Sequence, residues 1–256
     1  MRLRDATLML AIMALVACGH LRNEIAVDNG ESFRPGKSQP DPKRAVEINI
    51  GLAVEYMGAN DYEAALDKLQ KAIHIDGSSA TAYSVLGLLY ERINRPVQAG
   101  ESYAKAARLS PDKGDFQNNY AQWLCHSGRP VEADPYFRKA LDDPFYKTPA
   151  AALSNAGTCA LKAGKPELAE TYYRRLLTLD ANNVDALQQL AAMLYQRGDY
   201  LRARAFMERR VNQGTANAEM LDLAARIEDK LGDRDAANSY RRRLSSEFPQ
   251  YNSGQP

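Results

Sequence analysis

The sequence predicts an all-α solenoid, in which six helix-turn-helix units stack in a right-handed superhelix. The first observation is an apolar signature at Ala65, Leu69 and Ala72, with three and two residues between its members. The second is its recurrence at intervals of 34 residues, relaxed once to 36. A unit of this length cannot bury its apolar face alone, so neighbouring units must stack. The later copies of the signature begin at Ala99, Ala133, Ala169, Ala203 and Ala237.

The interval of 34 residues is the period of the tetratricopeptide repeat. We predict that the solenoid spans residues 45–251. A Gly or Asn that tolerates a left-handed backbone divides each unit into two helices, and Pro often opens the second helix. The six dividing residues are Asn60, Asn94, Gly128, Gly164, Gly198 and Gly232. The predicted units start near Val46, Ala80, Gly114, Ala150, Val184 and Ala218.

The N-terminal residues 1–17 have the pattern of a secretory signal peptide. Arg2 and Arg4 precede an apolar run that is too short to span a bilayer. The stretch from Leu15 to Gly19 resembles the bacterial lipobox, which implies that Cys18 becomes a lipidated mature N-terminus. Several acyl chains would anchor it stably, whereas a single chain is marginal. Gly19 in place of Asp implies, by resemblance to sorted lipoproteins, the outer membrane with the chain facing the periplasm. An ordinary signal peptide with an incidental Cys is the alternative.

Polar segments flank the predicted solenoid. Residues 18–44 are rich in Pro, Gly and polar side chains, and they bury too little apolar surface to fold. We predict a disordered tether there, and a polar tail over residues 252–256.

Two cysteines remain besides Cys18. Cys125 and Cys159 fall at nearly equivalent places in the first helices of the third and fourth units. Such helices pack side by side, and an exported chain meets an oxidising compartment. The pattern allows a disulfide, and two buried cysteines that never pair are the alternative.

Composition and motifs argue against several classes of function. The chain has 33 Lys and Arg against 32 Asp and Glu, which leaves no basic excess for nucleic-acid binding. Its three histidines are scattered, and no phosphate loop or hydrolase motif is present. We therefore expect no enzyme, no metal, no cofactor, no small-molecule substrate and no nucleic-acid partner.

The partner-binding groove is expected on the concave face, which the first helix of each unit lines. In the first unit this gives Ile50, Val54 and Met57, three apolar side chains nearest the tether. They bind a partner, or they cover the open end of the stack and pack on the tether. In the second and third units the corresponding residues are Leu88, Asn118 and Gln122.

Several motifs carry a family resemblance over the whole mature chain. They are the double Asn and Trp in residues 118–125, the Gly-Arg-Pro turn at 128–130, the Asp-Asp-Pro-Phe-Tyr insertion at 142–146, and the segment 155–164. Together they resemble the PilF/PilW family of type IV pilus biogenesis and stability proteins. The resemblance implies a lipid-anchored pilotin, which binds secretin subunits and promotes their localisation and multimerisation in the outer membrane, in support of twitching motility.

Two other functions remain open from the sequence. One is a tetratricopeptide-repeat lipoprotein of the machinery that inserts outer-membrane proteins. The other is an envelope scaffold that serves cell-wall synthesis. The double Asn and the phased cysteines argue against the first.

Overall fold

The computed structural model describes residues 41–251, and every regular element in that range is an α-helix. The twelve helices are α1 (Pro42–Gly58), α2 (Tyr62–Ile75), α3 (Ala80–Arg92), α4 (Pro96–Leu109), α5 (Gly114–His126), α6 (Pro130–Asp142), α7 (Pro149–Lys162), α8 (Pro166–Leu179), α9 (Val184–Gln196), α10 (Tyr200–Val211), α11 (Ala218–Leu231) and α12 (Arg234–Glu247). None of these helices is both apolar enough and long enough to cross a membrane.

The helices pack as six successive pairs, and each pair also contacts the next along the chain. First helices of neighbouring units touch directly, as in α1 with α3, α3 with α5 and α5 with α7. This arrangement confirms the predicted all-α tetratricopeptide-repeat solenoid.

The six predicted turn residues all adopt a left-handed backbone. Asn60 and Asn94 have φ values of 61° and 55°, and the four glycines lie between 68° and 82°. Pro96, Pro130 and Pro166 each occupy the first residue of a second helix, where the missing N–H would have had no helical partner. The sequence therefore placed the turns inside the units correctly.

The start of the solenoid differs from the prediction. Helix α1 begins at Pro42, so residues 42–44 belong to the helix and not to the tether. Pro42 suits the first helical position, and the Asp41 side chain accepts a hydrogen bond from the Lys43 amide at 3.1 Å. The predicted signal peptide, Cys18, the predicted tether up to residue 40 and the predicted tail at 252–256 lie outside the described residues.

Small residues allow the two helices of a unit to approach closely. The first Ala of all six signatures is fully buried. In the second unit Gly87 of α3 lies against the ring of Tyr103 in α4, and a Cβ on Gly87 would approach that ring to 2.8 Å. Gly157 and Tyr173 repeat this contact in the fourth unit. The contact excludes any larger residue at either glycine unless the aromatic ring shifts.

The two extra residues between the third and fourth units form a pinned loop. One carboxylate oxygen of Asp143 accepts from the Gly114 amide at 2.8 Å, and the other accepts from the Phe145 amide at 2.9 Å. These bonds hold the pKa of the Asp143 carboxyl below its usual value. Tyr146 is buried against Gly114, which explains why the insertion does not disturb the stack.

Candidate binding groove

A groove with a volume of about 310 Å³ opens between the first helices of the second and third units. Helices α3 and α5 contact each other, and their exposed side chains form its walls. The principal lining residues are Val85, Leu88 and Glu91 from α3, and Asn119, Gln122 and His126 from α5.

The groove combines an apolar contact with amide and carboxylate groups. Leu88 is 42% exposed, so its side chain is available to a partner. Asn119 donates through Nδ2 to the Ser84 hydroxyl at 3.0 Å, which leaves its carbonyl oxygen as an acceptor. The amide of Gln122 lies beside it. Such a set can hold a peptide by one apolar side chain and by hydrogen bonds to its backbone.

A buried tyrosine fixes the acidic edge of the groove. The Tyr103 hydroxyl donates to the Glu91 carboxylate at 2.7 Å. Burial of the phenol and the nearby negative charge of Glu91 raise the pKa of Tyr103 well above its usual value. The hydroxyl therefore stays protonated at neutral pH, and it orients Glu91 toward any cation or N–H donor in the groove.

The structure brings only some of the predicted residues of the second and third units to the groove. Leu88 and Gln122 line it, and their contact with a partner stays a prediction. Asn118 does not line it, because it is buried and its Oδ1 atom lacks a hydrogen-bond partner among the described residues. Its neighbour Asn119 occupies the groove wall instead. Successive residues of a helix point about 100° apart, so an error of one position moves a side chain from the wall into the core.

The apolar trio of the first unit is divided by the structure. Val54 is 52% exposed, whereas Ile50 is half-buried and packs against Val46 and its neighbours. Met57 is 3% exposed and belongs to the core, so its assignment to the groove was wrong. Met57 is buried because it packs where the first and second repeats meet. The other buried side chains of the same hydrophobic cluster are Ala53, Ala65, Leu69, Leu86 and Leu89.

Sequence reasoning assigned no role in binding to Asn119 or Trp123. Trp123 borders the groove and also a second cleft between α4 and α5. Two features of the sequence could have indicated a role for Trp123. It is the sole Trp of the chain, and Tyr120 lies three residues before it on the same helix. The position of Gly100, which leaves room for the indole, is visible only in three dimensions.

The structure places a disulfide between Cys125 of α5 and Cys159 of α7, with their Cα atoms 5.7 Å apart. It therefore joins the first helices of the third and fourth units, as the sequence allowed. Over residues 41–251 no group of three or more His, Cys, Asp or Glu side chains is placed to hold a metal ion.

Two family models described as tetratricopeptide repeat match the chain, one over residues 50–114 and 124–184 and the other over residues 160–227. The type IV pilus assembly protein PilF of Pseudomonas aeruginosa is 29% identical over 249 residues, which cover 97% of this chain and 95% of that protein. An uncharacterised protein of Haemophilus influenzae is 26% identical over 146 residues, which cover 57% of this chain and 82% of that protein.

Two solved structures extend this similarity. PilW, described as a widely conserved type IV pilus biogenesis factor, is 32% identical with a TM-score of 0.69, and the match covers 82% of this chain and 96% of that one. The structure of P. aeruginosa PilF is 29% identical with a TM-score of 0.72, and the match covers 83% of this chain and 96% of that one. Because the identity exceeds 30% for PilW and the match covers nearly all of its chain, this chain belongs to the PilF/PilW family of tetratricopeptide-repeat proteins.

Proposed function

We propose that this chain is a pilotin, a lipid-anchored adaptor of type IV pilus biogenesis. It binds secretin subunits in the periplasm and promotes their localisation and multimerisation in the outer membrane. The observation that carries the proposal is the similarity to a type IV pilus assembly protein over 97% of this chain. A match of that extent takes in the repeats and the insertion after the third unit.

The groove between α3 and α5 supports an adaptor role. It offers a preformed surface with one exposed Leu, two amides and an oriented carboxylate, and these groups recognise a peptide without any chemical step. An adaptor needs neither a cofactor nor a nucleotide.

The proposed anchor is Cys18, at the end of the lipobox-like stretch. Lipidation confines the adaptor to the outer-membrane surface, which raises its effective concentration toward a partner that arrives there. The lipid supplies the address in this proposal, and the repeats supply the binding.

The first prediction concerns the assembled secretin ring. Deletion of the chain is expected to remove the heat-sensitive multimer that unheated gels resolve, whereas Cys18→Ala is expected to leave multimers that fractionate away from the outer membrane. The measurement is secretin immunoblotting on unheated gels of separated membranes. A ring that persists without the chain would refute the pilotin proposal and favour the envelope-scaffold alternatives.

The second prediction concerns the groove. Leu88→Glu places a carboxylate beside Glu91 and is expected to weaken secretin binding by about tenfold or more, since a central apolar contact is lost. The folded state should change by no more than about 0.5 kcal/mol, because Leu88 is exposed. Isothermal titration with purified secretin periplasmic domains measures the affinity.

Leu201→Glu is the matched control, since Leu201 is an exposed Leu on α10, outside the groove. It should bind secretin like the parent chain. Equal affinity of the Leu88 and Leu201 variants would move the binding site away from this groove.

A further inference from the structure

A second cleft lies between α4 and α5, with a volume of about 560 Å³. We call it the Trp123 cleft, because the indole of Trp123 borders both this cleft and the groove between α3 and α5. Its apolar surface comes from Pro96, Val97, Gly100, Ala104, Tyr120 and Trp123.

The aromatic wall of the cleft is held rigidly. Trp123 stacks on Tyr120 with ring centroids 6.0 Å apart and planes 9° apart. Tyr136 meets Tyr120 edge to face at 4.7 Å. Gly100 lies so close to the indole that any Cβ there would overlap the ring. The opposite wall carries Val97, which is 69% exposed. The cleft is thus a preformed slot with aromatic and aliphatic walls.

Charged side chains also border this slot, and they differ in whether they form an ion pair. Arg129 is already paired, since its Nε and Nη2 atoms donate to the two oxygens of Glu132 at 2.7 and 2.6 Å. Arg108 makes no ion pair among the described residues, and it lies close enough to Tyr120 to oppose the rise that burial causes in the pKa of that phenol. Glu101 also lines the cleft. Of the two cations that line the cleft, Arg108 is therefore the one without an ion pair among residues 41–251.

The placement of these residues on α4 gives the cleft a direction and a length. Val97, Glu101, Ala104 and Arg108 follow one another at intervals of four, three and four residues, which places them along one face of the helix. Eleven residues of helix rise by about 16 Å. An extended peptide covers that distance with about five residues. Glu101 lies nearer the Val97 end of this row, and Arg108 lies at the opposite end.

We propose that the Trp123 cleft binds an extended segment of a partner protein, about five residues long, that inserts a large apolar side chain between Val97 and Trp123 and directs a carboxylate to Arg108. The apolar slot accepts the side chain, and the guanidinium of Arg108 supplies the charge complementarity. Trp123 is the one lining residue that this cleft shares with the groove between α3 and α5. The proposal therefore does not require that the partner be the secretin.

The sole Trp of the chain reports occupancy without a label. The probes are capped pentapeptides with the sequence Phe-Gly-Gly-Gly-Asp and the reversed order Asp-Gly-Gly-Gly-Phe, which place the apolar side chain and the carboxylate at opposite ends, and they are added to the mature soluble chain at low salt. In one of the two orders we expect a saturable change in Trp123 emission. Replacing Asp by Asn in that peptide should weaken binding about threefold, and replacing Phe by Ala about tenfold or more.

Two variants locate the binding. Val97→Glu is expected to abolish the saturable change, because it introduces a carboxylate at the mouth of the apolar slot. Val131→Glu is the matched control, since Val131 is 57% exposed and follows the opening Pro of α6 as Val97 follows that of α4. Arg108→Gln should remove the threefold preference for Asp over Asn and leave the contribution of Phe intact.

Three outcomes would overturn the proposal. The first is the absence of any saturable change up to about 5 mM peptide, where even weak millimolar binding is visible. The second is a change that survives Val97→Glu but disappears in Leu88→Glu, which would assign the peptide to the other groove. The third is an emission change that follows protein concentration and not peptide concentration, with dimers in sedimentation, which would mean that a second copy of the chain covers the cleft.

Discussion

Reduction of the disulfide between Cys125 and Cys159 is expected to lower the free energy of unfolding by about 3 to 4 kcal/mol. The bond closes a loop with a sequence separation of 34 residues, and it restricts the unfolded chain accordingly. Both cysteines are buried among the side chains of the central core cluster, so the folded state retains their packing when the bond is absent.

The measurement is urea unfolding of the purified chain, with and without a strong reductant, followed by circular dichroism. Cys125→Ala, Cys159→Ala and the double variant should have nearly the same stability in the absence of reductant, because each removes the same bond. The reductant should destabilise the parent chain and leave the three variants unchanged. Additive losses in the two single variants would show that the cysteines contribute by packing alone.

Replacement of Gly by Ala is expected to change the free energy of unfolding in opposite directions at two helical positions. Gly87→Ala should cost about 1 to 3 kcal/mol of unfolding free energy, because the new Cβ would meet the ring of Tyr103. That ring cannot move freely, since it is buried and its hydroxyl is bonded to Glu91. Gly51→Ala should instead stabilise by about 0.5 to 1 kcal/mol, since Ala favours helix and nothing lies within reach of the added atom.

Thermal and urea unfolding of both variants test this difference in sign. Gly157→Ala serves as a second example, because it faces Tyr173 as Gly87 faces Tyr103. It should behave like Gly87→Ala. If Gly51→Ala and Gly87→Ala changed stability in the same direction and by the same amount, intrinsic helix propensity would explain both and the contact with Tyr103 would have no energetic weight.

Much of the architecture follows from local chemistry and could be predicted without knowledge of any tertiary contact. The turns at Asn60 and Gly128 could be predicted because a left-handed backbone favours Asn and Gly over other residues. The interval between Ala65 and Ala99 revealed the repeat, because every unit must leave the same small gap between its helices. The family could also be identified, because its motifs are short and continuous in the sequence.

Only the tertiary structure decided which side chains line the groove and which are buried. The repeat period places Met57 in the groove, but its side chain is buried where the first and second units meet. Asn118 is buried as well, whereas Asn119 lines the groove. Periodicity gives the direction of a side chain to within about one residue of helical rotation, or 100°. To decide whether a side chain lies in the groove wall or in the core requires greater precision than this, because the answer depends on how closely neighbouring units approach. The same dependence hides the Trp123 cleft from the sequence, since its walls come from two helices and its depth from the absence of a side chain at Gly100.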